Sequence, residues 1–287
     1  MYQKEPYEQT VGKVVLVGAG PGDAELITLK AIRHLHKADI VLTDRLVNPE
    51  IISEHAPQAI VIPVGKQCRK NKSTPQATIN ELLLHHARAG RYVVRLKGGD
   101  VSIFSNIYDE LDTLIINQIP YEIVPGVTAA LGAAASLGVP LTARGLSKGV
   151  RLITYYNETA VDPVEWQNMA QTDDTLVFYM SGETCFALAE KLMAAGKNPE
   201  TPILLAEQAT TPLETAILSS LGACSTDWKD KVFLSPALLI IGSVAALHNK
   251  YAWRDNLKVA SSFFPEMTKA ATIPKPAIKP VTVEVKK

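Results

Sequence analysis

Short runs of aliphatic and β-branched residues alternate along this chain with longer stretches of helical character. The runs at 13–18, 39–43, 59–64, 91–96 and 121–124 read as strands, and those leading into 18 and 97 are aliphatic and β-branched, as buried parallel strands should be. Between them, 23–37, 75–89 and 103–117 predict helices, and such alternation implies a largely parallel sheet covered by helices. The pattern then starts again. Strands are predicted at 150–156, 175–180, 202–207, near 215–218 and at 236–242, with helices at 163–170 and 184–195. The segment from Ala129 to Gly138 is almost all Ala, Gly, Ser and Leu, which lets a helix pack closely on a neighbour or a ligand, while 140–149 carries no period and reads as a linker. The expected fold is therefore α/β with two α/β domains, 12–143 and 144–255, after a short extension at 1–11. From about Ser261, Pro265, Pro274, Pro276 and Pro280 alternate with lysines, so 256–287 is expected to be a disordered or extended tail.

Two of the predicted strands end in glycine loops. Val14-Val15-Leu16-Val17-Gly18-Ala19-Gly20-Pro21-Gly22-Asp23 is the first, and Val93-Val94-Arg95-Leu96-Lys97-Gly98-Gly99-Asp100 is the second. Glycines at the carboxyl end of a strand let a ligand approach the backbone, and that end is where open α/β sheets bind ligands. Two such loops in one sheet predict a shared site and an enzyme with a nucleotide-like cofactor. Gly18 and Gly20 fit two positions of the dinucleotide fingerprint, and Asp44 lies about twenty residues on, where a ribose-binding acid stands. A NAD-dependent oxidoreductase is thus one alternative. Against it, Asp23 replaces the third glycine and would set a carboxylate beside the pyrophosphate. A purely structural turn is another alternative, with Pro21-Gly22 as the corner and Asp23 as a helix N-cap.

Composition narrows the class. The 287 residues suffice for two domains, and 47% are hydrophobic, enough for buried sheets. A formal net charge of zero argues against nucleic-acid or membrane partners drawn by overall charge, so an anionic ligand has to be met by a local basic cluster. Cys68, Cys185 and Cys224 have no metal-ligand spacing and read as reduced thiols, and no metal is expected. No apolar signal region follows Met1-Tyr2-Gln3-Lys4-Glu5. The longest apolar stretch, Pro236 to Leu247, is broken at Gly242-Ser243 and too short to span a bilayer. A cytoplasmic enzyme is expected.

Further motifs accompany the loops in order. They are Leu26-Ile27-Thr28-Leu29-Lys30-Ala31, Ala38-Asp39-Ile40-Val41-Leu42-Thr43-Asp44-Arg45-Leu46-Val47, Val64-Gly65-Lys66, Val124-Pro125-Gly126-Val127-Thr128-Ala129-Ala130, and Pro140-Leu141-Thr142 with Arg144. Val177-Phe178-Tyr179-Met180 and Ser235-Pro236-Ala237-Leu238 complete the set. From about residue 12 to about 250 the chain resembles the tetrapyrrole (corrin/porphyrin) methyltransferase family. Within it, Asp44-Arg45-Leu46-Val47 and Arg95-Leu96-Lys97-Gly98-Gly99-Asp100 look most like the uroporphyrinogen-III C-methyltransferase branch.

The resemblance implies two α/β domains with the active site in the cleft between them, a homodimer, and S-adenosylmethionine as methyl donor. Carried across by position, the donor-binding candidates are Pro21, Gly98, Gly99, Asp100, Ile103, Thr128, Ala129, Met180, Ala209 and Ala237. The implied reaction is C-methylation of uroporphyrinogen III at two pyrrole rings to give precorrin-2, on the way to sirohaem or cobalamin. Because the sulfonium methyl is already activated, alignment of the reactants is the protein's main task, with a general base to follow. Asp44 is the candidate base and Lys66 a second catalytic candidate facing the substrate. The tetrapyrrole's eight carboxylates call for cations. Arg45, Lys66, Arg69, Lys70, Arg95, Lys97, Arg144, Lys148 and Arg151 are available, with Arg45 and Arg144 preferred as substrate ligands because they lie inside family motifs. Fused sirohaem synthases carry a further dehydrogenase-ferrochelatase module, for which this length leaves no room, so iron insertion is not expected.

The departures from the family fall on substrate-side or cleft positions, while the glycines of the two loops are kept. After Gly98-Gly99-Asp100 the usual Pro-Phe-Ile-Phe-Gly-Arg-Gly-Gly-Glu-Glu is replaced by Val101-Ser102-Ile103-Phe104-Ser105-Asn106-Ile107-Tyr108-Asp109-Glu110. Ala143 stands for a histidine, Tyr155-Tyr156 for Gly-His, and Ala209 for a glycine. A methyltransferase of a later precorrin, such as precorrin-4, and a non-catalytic relative that binds the donor are the alternatives these changes raise.

Overall fold

The computed structural model describes residues 11–65, 73–155, 161–254 and 261–265. Lys66, Cys68, Arg69, Lys70, Tyr156 and most of the predicted tail lie outside the described residues.

Ten strands form two five-stranded sheets. The first contains β1 (Lys13–Gly18), β2 (Ile40–Thr43), β3 (Ile60–Pro63), β4 (Tyr92–Lys97) and β5 (Tyr121–Val124) in the order β3-β2-β4-β1-β5. Every pairing is parallel, as the alternation predicts. Successive side chains on a strand point to opposite faces. Val14 and Leu16 of β1 accordingly pack with Ile79, Leu82 and Leu83 of α3 (Gln76–Arg88) and with Leu114 of α4 (Ile107–Ile116). Val15 and Val17 pack with Ala31 and Leu35 of α1 (Leu29–Leu35) and Ile51 of α2 (Pro49–His55). Each fully buried aliphatic side chain is worth roughly 1.5–3 kcal/mol relative to exposure, so both faces hold the sheet.

The second sheet contains β6 (Val150–Thr154), β7 (Thr175–Tyr179), β8 (Pro202–Glu207), β9 (Thr215–Ser220) and β10 (Ala237–Ile241), in the order β6-β7-β10-β8-β9. Only β6 and β7 are parallel; the other pairs are antiparallel. The β8–β9 connection carries no helix, and a parallel crossover needs one. One face is covered by α6 (Pro163–Gln171) and α7 (Cys185–Ala194) through Trp166, Met169, Leu188 and Leu192. The other receives α5 (Ala129–Ser136), whose Ala130 and Ala133 pack with Val177, Leu204 and Ile240. The small-residue segment is thus a helix laid closely on a sheet, and its packing crosses the boundary expected at 143/144.

Other differences from the sequence reading have local causes. The helix predicted over 23–37 is a 3-10 turn at Ala24–Leu26 followed by α1, because the Thr28 hydroxyl caps a new helix by accepting from Ala31 N at 3.2 Å. The helix predicted over 103–117 starts only at Ile107, after Asn106 takes a left-handed φ of +50°. Helix α2 escapes the periodic pattern because it is a single short element, started by Asn48 as N-cap and Pro49 in the first turn. Within the stretch expected to be a disordered or extended tail, Ser261–Pro265 is anchored to the rest of the chain. Phe264 is only 2% exposed, and two backbone groups of this segment bond the Gln208 side chain.

Candidate active site

The two glycine loops meet at the carboxyl ends of adjacent strands β1 and β4. Gly20 N donates to Gly99 O at 3.2 Å and Gly99 N to Gly20 O at 2.7 Å, so the loops form one bridged unit. Glycine has a different reason at each position. A Cβ on Gly18 would stand 2.6 Å from Gly126 N and 2.7 Å from Gly99 O, and one on Gly98 would stand 2.9 Å from Leu46 O. Those residues let backbones pack. Gly99 differs, because its φ of +69° is left-handed and a Cβ there would face open space whose nearest atom is Ala129 N at 3.9 Å.

Asp100 joins these loops to the next. Its Oδ1 accepts from Ser102 N and its Oδ2 from Gly126 N, both at 2.8 Å, while Ile103 N closes the turn onto Asp100 O at 3.4 Å. Tyr179 reaches over from the second sheet. Its hydroxyl pairs with Thr128 Oγ1 at 2.8 Å and accepts from Ala130 N at 3.0 Å, and its ring lies 4.9 Å from that of Phe104. Burial raises the Tyr179 pKa above its usual value, so the hydroxyl stays protonated. Met180 follows with a left-handed φ of +60° and 45% of its surface exposed.

Pro21, Ala209 and Ala237 come together through backbone contacts. A Cβ on Gly132 of α5 would strike the Pro21 ring, and one on Gly22 would stand 3.0 Å from Ala209 O. Asp23 N donates to Thr210 Oγ1 at 3.0 Å, and Gln208 N donates to Pro236 O at 2.8 Å, next to Ala237. The Asp23 carboxylate itself accepts from Glu25 N at 2.9 Å, the N-cap role weighed against a dinucleotide loop.

Asp44 stands at the carboxyl end of β2 with 28% of its side chain exposed. Arg95 Nη2 donates to its Oδ1 at 2.6 Å. Arg95 Nε donates to Glu110 Oε1 and Lys97 Nζ to Glu110 Oε2, each at 2.9 Å, and Arg95 Nη1 also reaches Leu42 O and Leu96 O. Burial opposes the Arg95 cation, but Asp44 and Glu110 outweigh it and hold its pKa above the usual value. For Lys97 burial wins, aided by repulsion from Arg95, and its pKa is lowered despite Glu110. The cluster has two cations and two anions, with Arg95, Lys97 and Glu110 buried and Asp44 partly exposed at its edge.

Several expectations are corrected here. Arg95 and Lys97 are buried and paired, so these two are not rim cations waiting for a substrate, whereas Arg151, paired with Asp174 at 2.9 Å, keeps 40% of its side chain exposed. Among the altered residues, Val101 and Tyr155 are buried, Tyr155 against Trp166 in the core of the second sheet, and Glu110, which matches the family pattern, is buried too, so none of the three lines a cleft surface. Phe104, Asn106 and Tyr108 are exposed. Arg45 follows Asp44 in the same loop, whereas Arg144 is exposed on the turn in which Ala143 N bonds Ser147 O. Glu110 was missed by the sequence reading. Its signal was two cations at i and i+2 of an apolar strand, which share a face and demand a buried anion.

Among the described residues, no group of His, Cys, Asp and Glu could hold a metal ion, and no helix is long and apolar enough to cross a membrane. A family profile described as Tetrapyrrole (Corrin/Porphyrin) Methylases matches residues 13–224. A uroporphyrinogen-III C-methyltransferase of Pseudomonas aeruginosa is 46% identical over 235 residues, covering 81% of this chain and 94% of that protein. A siroheme synthase of Psychrobacter arcticus is 42% identical over 244 residues, covering 85% of this chain and 44% of that protein. The chain spans about half the length of the siroheme synthases it matches. The uroporphyrin-III C-methyltransferase of Thermus thermophilus, solved with S-adenosyl homocysteine, superposes with a TM-score of 0.70 at 39% identity, covering 82% of this chain and all of that one. A cobalt precorrin-4 methyltransferase superposes at 0.74 with 26% identity, covering 83% and 98% of the two chains. With the bridged glycine loops in place, the match over 13–224 shows that the chain belongs to the tetrapyrrole (corrin/porphyrin) methylases.

Proposed function

We propose that this chain methylates uroporphyrinogen III at two pyrrole rings, using S-adenosylmethionine, to give precorrin-2. The observation that carries the reading is the 46% identity to a uroporphyrinogen-III C-methyltransferase over 94% of that protein. The residues fit the donor. Gly99 leaves open the space that a side chain would fill, with Ala129 N across it. Gly98 keeps the loop against Leu46, and Asp100, bonded by two backbone amides, fixes that loop relative to Thr128. Pro21, Ile103, Met180, Ala209 and Ala237 complete the proposed wall. When bound, the donor supplies a methyl group on positive sulfur.

The cleft between the two units is the proposed place of reaction, where the protein orients a pyrrole carbon toward that methyl. A proton must then leave the macrocycle. Asp44 is placed to take it, because Arg95 engages Oδ1 and the partly exposed side chain leaves Oδ2 as the accepting atom. Lys66 stays in the proposal as a second catalytic residue, and Arg45 and Arg144 as partners for substrate carboxylates. A homodimer and a cytoplasmic location belong to the same reading and rest on the family likeness.

A second reading, methylation of a later precorrin, is favoured by one observation. The exposed residues Asn106 and Tyr108 stand where the uroporphyrinogen branch has the arginine and a glycine of its turn. Anaerobic incubation with uroporphyrinogen III and S-adenosylmethionine, followed by mass spectrometry, decides between them. A product heavier by two methyl groups supports the first reading. An unchanged tetrapyrrole, with S-adenosylhomocysteine binding intact, moves the assignment to a later precorrin or to a non-catalytic donor-binding protein.

A further inference from the structure

Residues 261–265 lie far along the chain from every motif, yet they are bonded to the turn that follows β8. Gln208 is fully buried and holds a left-handed φ of +50°, a costly conformation for a residue with a side chain. Its amide is committed to the downstream segment. Nε2 donates to Ser261 O at 2.9 Å, and Oε1 accepts from Phe263 N at 2.6 Å. Nε2 also approaches Leu213 O at 3.4 Å, across the base of the same turn. Phe264 is buried, with its ring 5.1 Å from that of Phe263, and Ser262 Oγ donates to Phe264 O at 2.9 Å. The five residues therefore form a strap with a buried aromatic anchor and two hydrogen bonds to one buried amide.

What the strap holds is adjacent to the proposed donor wall. Gln208 N donates to Pro236 O, which fixes the 208–209 turn against the start of β10 at Ala237. The Ala209 carbonyl in turn packs on the Pro21-Gly22 corner, since a Cβ on Gly22 would stand 3.0 Å from it. We propose that Ser261–Phe264 is a positioning strap for the methyl donor, acting through Gln208 to hold Ala209 and Ala237 in the binding geometry. The proposal rests on the reading above that Ala209 and Ala237 line the donor site. The strap makes no contact with the reacting atoms, so Gln208 and Phe264 are positioning residues. A released strap leaves the turn in its binding geometry for only part of the time, and apparent affinity falls by that fraction. Donor binding and strap docking also stabilise each other by the same factor.

The test is titration calorimetry of the full-length protein with S-adenosylhomocysteine, for wild type, Phe264→Ala and Gln208→Ala, with steady-state kinetics beside it. The strap predicts affinity weaker by about tenfold in both variants, as expected if the turn is competent about one-tenth of the time. It also predicts a matching rise in the KM for S-adenosylmethionine, with kcat at saturating donor and the KM for the tetrapyrrole within about twofold of wild type. A lower melting temperature with unchanged S-adenosylhomocysteine affinity overturns the strap and leaves the donor-site reading standing. No binding by the wild-type protein overturns both. If the variants do not fold, amide exchange on the wild type serves instead. Added S-adenosylhomocysteine must slow exchange at Phe263 N, and an unchanged rate there rejects the proposal.

Discussion

Glu110→Gln tests the buried charge network most directly. Glu110 is fully buried and accepts one charge-assisted bond from Arg95 and one from Lys97, each at 2.9 Å. The glutamine keeps the shape but loses the charge and turns one acceptor into an NH₂ that faces a donor. Removing one partner of a buried ion pair costs about 3–5 kcal/mol, because the other charge is left uncompensated. Two factors place this variant near the lower end. Asp44 still pairs with Arg95, and Lys97, its pKa already lowered by burial, can shed its proton. A loss of about 3 kcal/mol corresponds to a fall in Tm of about 6–12 °C for a chain of this size class. The sign of the pH effect follows from Lys97. Because its folded pKa lies below the ordinary lysine value, the unfolded state binds more protons between the two, so stability rises with pH over that interval up to 10.5. Urea unfolding across the alkaline range should show a steeper rise for the variant than for wild type. Adding Lys97→Met to Glu110→Gln should restore part of the loss, since the orphaned cation is then gone. A cost below about 1 kcal/mol, with no added pH slope, would refute the account of the network as a desolvated, mutually dependent set.

Asp44→Asn should lower kcat for methyl transfer by about 10²–10⁴-fold, the range for loss of a general base, while S-adenosylhomocysteine affinity stays within error of wild type. Retained turnover would remove Asp44 from that role. Gly99→Ala, at φ +69°, should cost about 1–2 kcal/mol in unfolding free energy for a left-handed residue, and should weaken donor binding more than Gly98→Ala does, measured side by side by calorimetry. Glu122 is held by Lys13 at 2.5 Å and Lys30 at 2.7 Å, chiefly through those hydrogen bonds, and its pKa is pulled down from 4.5 to about 2. Stability from this depressed carboxylate is present above 4.5 and lost as pH falls toward about 2, and Glu122→Gln should flatten that part of the acid unfolding curve.

The centre of the first sheet was legible because both of its faces are covered there. A strand buried on two sides must be written in apolar residues, and β1, β2 and β4 are. Adjacency of the two glycine loops followed, since a single parallel sheet brings its carboxyl ends to one edge. The mixed second sheet was not legible, because strand direction depends on how the chain returns, and apolar runs carry no sign of that. Side-chain roles were the least legible. Arg95 and Lys97 look like surface cations when counted, and only their i, i+2 spacing on a buried strand marks them as ion-paired. The tail reads as disordered by composition, yet one buried phenylalanine and one buried glutamine hold part of it.

The division between what the chain keeps and what it changes follows from how each side of the site is built. The proposed donor side is made of backbone: the Gly20–Gly99 bridge, the Gly18–Gly126 approach, and the amides that bond Asp100. A side chain at Gly18 would collide with two neighbouring loops, so that position admits no larger residue unless they move. The proposed substrate side includes exposed side chains on the segment after Asp100, where Asn106 and Tyr108 stand outside the core. Changing them leaves the sheet, the bridge and the Arg95–Glu110 network in place. That separation explains how a cobalt precorrin-4 methyltransferase superposes at a TM-score of 0.74 with only 26% identity, because the shared part is the backbone scaffold. If the proposed substrate side is right, exchanging residues 102–108 between two family members should carry substrate preference with it while leaving donor affinity behind.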